Sequence, residues 1–299
     1  MGTRNGFRFL STQIGSIVQQ SLESWSLWVS DDESSDGTLA LLQDIRNSIG
    51  ANRMHVIKGP GQGFVRNFLS MIGNPAIQAD YFAYADQDDV WLPSKLQHAV
   101  KALERYPGDV PALYCGRTII IDDDGVERGQ TLLDRATPSF ANALIQNIAS
   151  GNTMVFNAAA RDLLREAGED VDVFAHDWWT YVAVMAVGGA VIFDPTPHVR
   201  YRQHAANQIG ASVTLPALLR RTRLDRNGHL RATLRNNVAA LNRILHLMTP
   251  ENLSLLNRVD ELRQPCPVGR LRAFLRLPFK RQRFLGNCSL GLAVMLGRV

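Results

Sequence analysis

At 299 residues the chain is long enough to bury one large domain or two smaller ones, and 45% hydrophobic against 20% charged residues excludes a largely disordered polymer. Cys115, Cys266 and Cys288 are too few and too scattered for a disulfide framework or a metal knot, which points to a reducing compartment, the cytosol by default. The net charge of +4 conceals an asymmetry: residues 1–200 carry 15 Lys and Arg against 24 Asp and Glu, a balance of −9, whereas residues 201–299 carry 17 against 4, a balance of +13. A basic third of this kind seeks phosphate, on nucleic acid or at an anionic membrane surface.

The chain begins with "MGTRNG", a turn with no strand before it, and lacks the basic-then-apolar pattern of a secretion signal. A helix is predicted over 7–21 and a strand over 25–30, "WSLWVS", which runs out into the acidic turn "DDESSDG". Asp36 is placed to cap a helix over 37–48. Strand 53–57 and helix 62–73 follow, then strand 81–85, whose aromatic run ends in Asp86, Asp88 and Asp89. Pro93 suits the first turn of a helix over 93–106. Beyond it lie a strand over 113–121, a hairpin turn around Asp124-Gly125, a strand over 152–156, a helix over 177–187 and a strand over 190–194. From about residue 214 the pattern is helical and arginine-rich, broken at Gly228 and Pro250. The most apolar stretch, 284–297, is short and interrupted by Asn287, Ser289 and glycines, so no membrane span is expected. Strands alternating with helices imply a mainly parallel sheet covered on both faces.

Ligands of such sheets bind beyond the carboxyl ends of the strands, which is where the acids stand. Carboxylates two apart can reach one hard cation, so Asp86 and Asp88 suit Mg2+ or Mn2+ carrying a diphosphate, although solvated turns produce the same D-x-D spacing. An EF-hand counted from Asp32 would put Gln43 where a bidentate Glu is needed, and no Walker-type glycine-lysine run exists.

Four blocks in order, "SDDESSDGT" (30–38), "ADQDDVWLPSKL" (85–96), "SGNTMVFN" (150–157) and "AHDWWTYVAVMAVGGAVIFDPTPHVRYRQHAANQIG" (175–210), resemble family 2 glycosyltransferases of the GT-A fold, closest to their rhamnosyltransferase-like branch. The resemblance spans about residues 1–210 and implies a catalytic domain over 1–212 followed by a basic helical region over 213–299. It implies an inverting transfer of a sugar, with rhamnose the sugar this branch suggests, from a dTDP- or UDP-sugar donor to a glycan or lipid-linked saccharide of a cell-surface polysaccharide, with Mn2+ or Mg2+ as cofactor.

By the same resemblance, Asp31 and Asp32 face the nucleoside, and Thr3, Arg66, Asp86, Gly151, Asn152, Trp178 and Arg202 line the donor site. Asp86, Asp88 and His204 are implied as metal ligands. Asp177 is implied as the general base that takes the acceptor hydroxyl's proton, with a helix cap as its other reading. Trp91 is read either as a wall of the sugar pocket or as an apolar lid over the next helix. The family's pattern opens with a buried strand before its T-Y-N-G-like turn. Here only Thr3, Arg4 and Asn5 match that turn, so the expectation is a late start and a sheet lacking a central strand, with open pairing edges.

The run "GRLRAFLRLPFKRQRFLG" mixes Leu and Phe with Arg and Lys. It suits an interfacial helix on anionic lipid, at the inner face of the plasma membrane, or equally a hairpin packed on the catalytic domain. Two rival functions stand beside the transferase. A nucleic-acid-binding protein would use the +13 region but leaves "HDWW" and "YRQH" unassigned, so nucleic acid is not expected as a partner. A sugar nucleotidyltransferase would need a glycine-rich basic N-terminal loop that is absent.

Overall fold

The computed structural model describes residues 1–133, 137–204 and 229–299. The end of the fourth block, the expected boundary at 212/213 and Gly228 lie outside the described residues. In chain order the first two-thirds contain β1 (Gly2–Thr3), α1 (Phe7–Val18), β2 (Leu27–Asp31), α2 (Thr38–Ile49), β3 (Met54–Lys58), α3 (Phe64–Gly73), β4 (Tyr81–Ala83) and β5 (Val90–Trp91). They continue with α4 (Lys95–Leu103), β6 (Ala112–Gly116), β7 (Ile119–Ile121), β8 (Glu127–Gln130), α5 (Phe140–Ile145), β9 (Val155–Asn157), α6 (Ala158–Ala167), α7 (His176–Ala186), β10 (Ala190–Asp194) and β11 (Val199–Arg202).

Strands β1, β2 and β3 pair in parallel, and so do β6 with β10 and β7 with β11. Strand β9 runs antiparallel between β6 and β4, while β11 also pairs antiparallel with β5. The expected gap in the sheet is corrected by the structure. Gly2 and Thr3 pair with Ser30 and Asp31 on one side. On the other, the Gly2 amide donates to the Ala85 carbonyl at 3.3 Å, so a two-residue strand stands where the gap was expected. Met1 is buried, and its amino group donates to the Trp28 carbonyl at 2.7 Å. Glycine suits position 2 because a Cβ there would meet the Phe68 ring at 3.1 Å.

Two expected strands are cut short. The run 113–121 leaves one sheet for another at Arg117-Thr118, where Gly116 passes so close to the Asp194 carbonyl that a Cβ would lie 2.9 Å from it. Residues 151–153 make a 3-10 turn, and only Val155–Asn157 extend. Asn157 then caps α6, accepting from the Ala160 amide at 3.0 Å. Pro93 lies just outside α4, whose cap position is Ser94.

Apolar cores cover both faces. Leu10, Ile14, Leu42 and Leu103 pack on one side, and Phe68, Leu144, Leu164, Trp179 and Tyr181 on the other. The second core continues into α8 (His229–Leu241), α9 (Pro250–Arg258), α10 (Pro267–Arg276) and α11 (Phe284–Met295) through Leu234, Leu256, Ala273 and Leu290. Pro250 starts α9 behind a Thr249 cap. The Asn252 side chain donates to the Met185 and Ala186 carbonyls at 2.9 and 3.0 Å, and that of Asn142 to the Lys280 carbonyl at 2.8 Å. The basic helices are therefore packed against the sheet-bearing part of the chain, as the hairpin reading expects. Their outer faces nevertheless leave Val268, Leu275, Phe284, Leu292 and Leu296 exposed. Among the described residues, no helix is long and apolar enough to cross a membrane.

Candidate active site

The aromatic run is half-buried through β4 and becomes buried just after it, at Tyr84 and Ala85; Tyr84 packs against Phe68 and Phe156 with its hydroxyl 3.0 Å from Thr180 Oγ1. The three carboxylates that follow divide the work. Asp89 turns inward and is fully buried, accepting from Asn152 Nδ2 at 2.7 Å and from the Arg202 amide at 3.0 Å. Burial, then Asp86 and Asp88, push its carboxyl well above the usual range. Asp86 is pushed up to about 7 by burial, with the charges of Asp88 and Asp177 adding to it. Asp88 Oδ2 sits 2.7 Å from His204 Nε2, and the His204 ring rests 5.2 Å from Phe9.

Asp177 lies in the first turn of α7, with Ala175 rather than Asp177 at the cap position. Its carboxylate accepts from the Gly151 amide at 3.0 Å and from its neighbour Trp178 at 2.6 Å. Burial raises its pKa against those bonds and one from the Asn147 side chain. Asn152 donates to Asp89 while the adjacent Gly151 amide donates to Asp177, so the acids of 86–89 and the start of α7 border one site.

The other expected residues fall into two groups. Gly151 and Asn152 join the site as described, and Arg202 reaches it as a brace, donating to the carbonyls of Asp88, Asp122 and Asp123 at 3.0, 3.0 and 2.9 Å. Thr3 borders it through Gln87, whose Oε1 accepts from Thr3 Oγ1 at 2.6 Å and the Arg4 amide at 2.8 Å. Asp31 and Asp32 are buried and hold loops: Asp31 accepts from the Ser34 amide at 3.0 Å, and Asp32 from the amides of Gly61 and Gly63 at 2.7 and 2.8 Å. Arg66 turns to the segment after α6 and donates to the Glu169 carbonyl at 2.8 Å, so the structure does not bring it to the acids. Trp178 is tied by its indole N–H to the Ala143 carbonyl at 2.6 Å. Trp91 is buried, which supports the lid.

Lys95 was not anticipated. It is fully buried, with its ammonium 3.2 Å from the Trp91 ring centroid, and burial pulls its pKa far down while Asp89 and Asp86 oppose the shift. In sequence it looks like any surface lysine of a first helical turn. His176, stacked on Phe68 at 4.0 Å, was missed for the same reason, since burial by aromatics leaves no spacing signal. Burial takes His176 down to about 3, so it is neutral beside Asp177.

The structure thus brings Asp88 and His204 together as an oxygen and a nitrogen donor, with the charges of Asp86 and Asp177 felt nearby, but among the described residues Asp86 does not close with them into a three-ligand cluster. That set of hard oxygens plus imidazole fits Mn2+ or Mg2+.

The model of Glycosyl transferase family 2 matches residues 1–167. A dTDP-rhamnosyl transferase, RfbG of Shigella flexneri, is 28% identical over 236 residues, covering 76% of this chain and 79% of that protein. The succinoglycan biosynthesis protein ExoW of Rhizobium meliloti is 33% identical over 106 residues, 33% of this chain and 31% of its own. Among solved structures, S. aureus TarS 1–349 in complex with UDP-GlcNAc aligns with TM-score 0.54 at 14% identity, over 99% of this chain and 88% of that one. The mannosyltransferase PcManGT of Pyrobaculum calidifontis, in complex with GDP-Man and Mn2+, gives 0.53 at 16%, over 99% and 84%. These structures share the GT-A fold described above. With more than half its length matched by the family model, the chain belongs to glycosyltransferase family 2 and is a glycosyltransferase.

Proposed function

We propose that this enzyme transfers a sugar, with rhamnose from dTDP-rhamnose as the leading donor, to a growing cell-surface glycan with inversion at the anomeric carbon. The observation that carries the reading is that Gly151 and Asn152, adjacent in the chain, hold Asp177 and Asp89, which sets the candidate base beside the acids of 86–89. The relation to RfbG supports the choice of donor.

Asp88 and His204, with Asp86 beside them, would hold Mn2+ or Mg2+, which when bound neutralises the departing nucleoside diphosphate. Asp177 takes the proton of the acceptor hydroxyl as that oxygen attacks. Its Gly151 and Trp178 hydrogen bonds aim the carboxylate, and partial burial raises its basicity. Asp31 and Asp32 shape the nucleoside side by fixing the 33–34 and 61–63 loops, and Thr3 and Gln87 continue that wall. Inversion needs no second nucleophilic carboxylate.

The outer faces of α10 and α11 fit an anionic membrane carrying a lipid-linked acceptor. Eight basic residues and no acid follow Glu261. Exposed Phe284, Leu292 and Leu296 recur at four- and eight-residue spacing opposite buried Leu290 and Val294. Arg272, Arg276, Lys280 and Arg283 are exposed among them.

Donor preference is tested by thermal shift against dTDP-, UDP- and GDP-sugars with Mn2+, followed by transfer assays with the stabilising donor. A dTDP-sugar should stabilise most; stabilisation by GDP-sugars alone would overturn the donor assignment.

A further inference from the structure

We infer that His98, Asp194 and His198 form a second cation site, of the Zn2+ or Co2+ class, apart from the acids of the transfer reaction. Nothing in this inference depends on the glycosyl-transfer reading. His98 projects from the exposed side of α4, Asp194 ends β10, and His198 precedes β11, so three separate elements supply the donors. One donor atom from each lies within 4.8 Å of the other two.

The detail that decides between a cation and an ordinary ion pair is His198. Its side chain is buried, yet Nε2 has no hydrogen-bond partner, although Asp194 Oδ2 stands 3.5 Å away. Buried polar atoms are rarely left so. A separation of 3.5 Å is long for a hydrogen bond to a carboxylate. It is the spacing of two ligands on one metal: bonds of about 2.1 Å at tetrahedral angles put donors roughly 3.4 Å apart. The rings of His98 and His198 already lie with centroids 4.4 Å apart, and rotation of the exposed His98 side chain covers the remaining distance.

The surroundings hold these donors as metal sites commonly hold theirs, by hydrogen bonds to the ligands themselves. Tyr114 donates its hydroxyl to Asp194 Oδ2 at 2.7 Å, and the Thr196 amide donates to Oδ1 at 2.7 Å, which fixes the carboxylate. Ser94 Oγ lies 3.4 Å from His198 Nδ1, so the other ring nitrogen is the one turned toward Asp194. Two imidazoles and one carboxylate select Zn2+ or Co2+ over Mg2+. A small cavity beside His198, about 10 Å3 and room for one water, is lined by the buried Lys95 and by Tyr114 and Thr196, though not by His98 or Asp194. That water is the competing occupant. A cation here would tie α4 to the start of β11, the strand that leads through Arg202 to His204, and so would stiffen the active site from outside it.

The test uses the full chain without a histidine tag, stripped with a chelator. Co2+ titrated into the wild type should give a visible absorption band, and Zn2+ at a hundredfold excess over its dissociation constant should raise the melting temperature by roughly 5 °C. His98→Ala, at an exposed position, should weaken Co2+ binding more than about tenfold, whereas Asp88→Asn should leave the band in place. Absence of a band in the wild type, or binding kept within twofold in His98→Ala, overturns the site in favour of water. Loss of the band in Asp88→Asn alone assigns the ion to the acids of 86–89 and equally refutes the inference.

Discussion

Replacing Arg202 by lysine and by alanine separates two roles that a cation beside a diphosphate could play. Among the described residues, its guanidinium spans the carbonyls of Asp88, Asp122 and Asp123, and also lies 4.6 Å from the Phe9 ring centroid. A hydrogen bond from a charged donor contributes about 1.5–3 kcal/mol. Two of the three carbonyls sit on the partly exposed β7–β8 turn, where water replaces a lost donor, so the bond to Asp88 counts most and Arg202→Ala should cost about 3 kcal/mol. For a chain of this size that lowers the melting temperature by roughly 6–10 °C. An ammonium is a point charge and cannot span three carbonyls, so Arg202→Lys should recover about a third of the loss. Melting curves, with calorimetry of nucleotide binding in Mn2+, read both effects. If lysine restores wild-type melting and affinity, Arg202 acts as a charge toward phosphate and the bracing role is wrong.

Asp177→Asn should keep nucleotide affinity and lose turnover by roughly two to four decades, read in a transfer assay with saturating donor; near-normal transfer excludes it as the base. Asp88→Asn and His204→Ala should each abolish the difference between calorimetric titrations with and without Mn2+, and a persisting difference moves the metal elsewhere. Asp86 sets a pH dependence in the metal-free protein. Its folded pKa of about 7 lies above the ordinary 3.8, so the folded state binds more protons than the unfolded one between those values, and stability falls as pH rises from 4 to 7. The fall is a few kcal/mol at most, and added Mn2+ should reverse it at pH 8; denaturant midpoints that stay flat over this range refute it. Phe284→Asp with Leu292→Asp should remove binding to phosphatidylglycerol vesicles in flotation while leaving transfer to a soluble acceptor intact. Vesicle binding that persists places the membrane contact elsewhere.

Much of the fold was legible because the first 200 residues punctuate themselves: β2, β3, β10 and helices α2 and α3 fall where periodicity puts them, although the cap position of α2 is Gly37, and Asp36, one residue earlier, accepts from the Thr38 amide. The acids of 86–89 stood out because they follow a strand, where such sheets expose their ligands, whereas Asp177 stood out only through the resemblance of its "HDWW" block to the family. What escaped depends on contacts across the chain. Arg202 reads as a phosphate ligand until the β7–β8 turn is seen beneath it. Lys95 reads as a surface residue until Trp91 covers it. The division of 113–121 follows from the approach of Asp194 to Gly116, which no local pattern encodes. Asp31 and Asp32 look free in sequence, but their partners lie up to 31 residues away.

Asn152 grips Asp89 while the amide of Gly151 grips Asp177, so adjacent residues clamp the two walls of the cleft. Gly151 has no room to grow, since a Cβ would stand 3.1 Å from Asp177 Cβ and 3.2 Å from His176 Nε2. On the Asp177 side the spacing is thereby set by backbone, which does not swing between rotamers, whereas Asn152 holds Asp89 through its side chain. A change of side chain can therefore release Asp89, while the hold on Asp177 survives any substitution that the backbone tolerates.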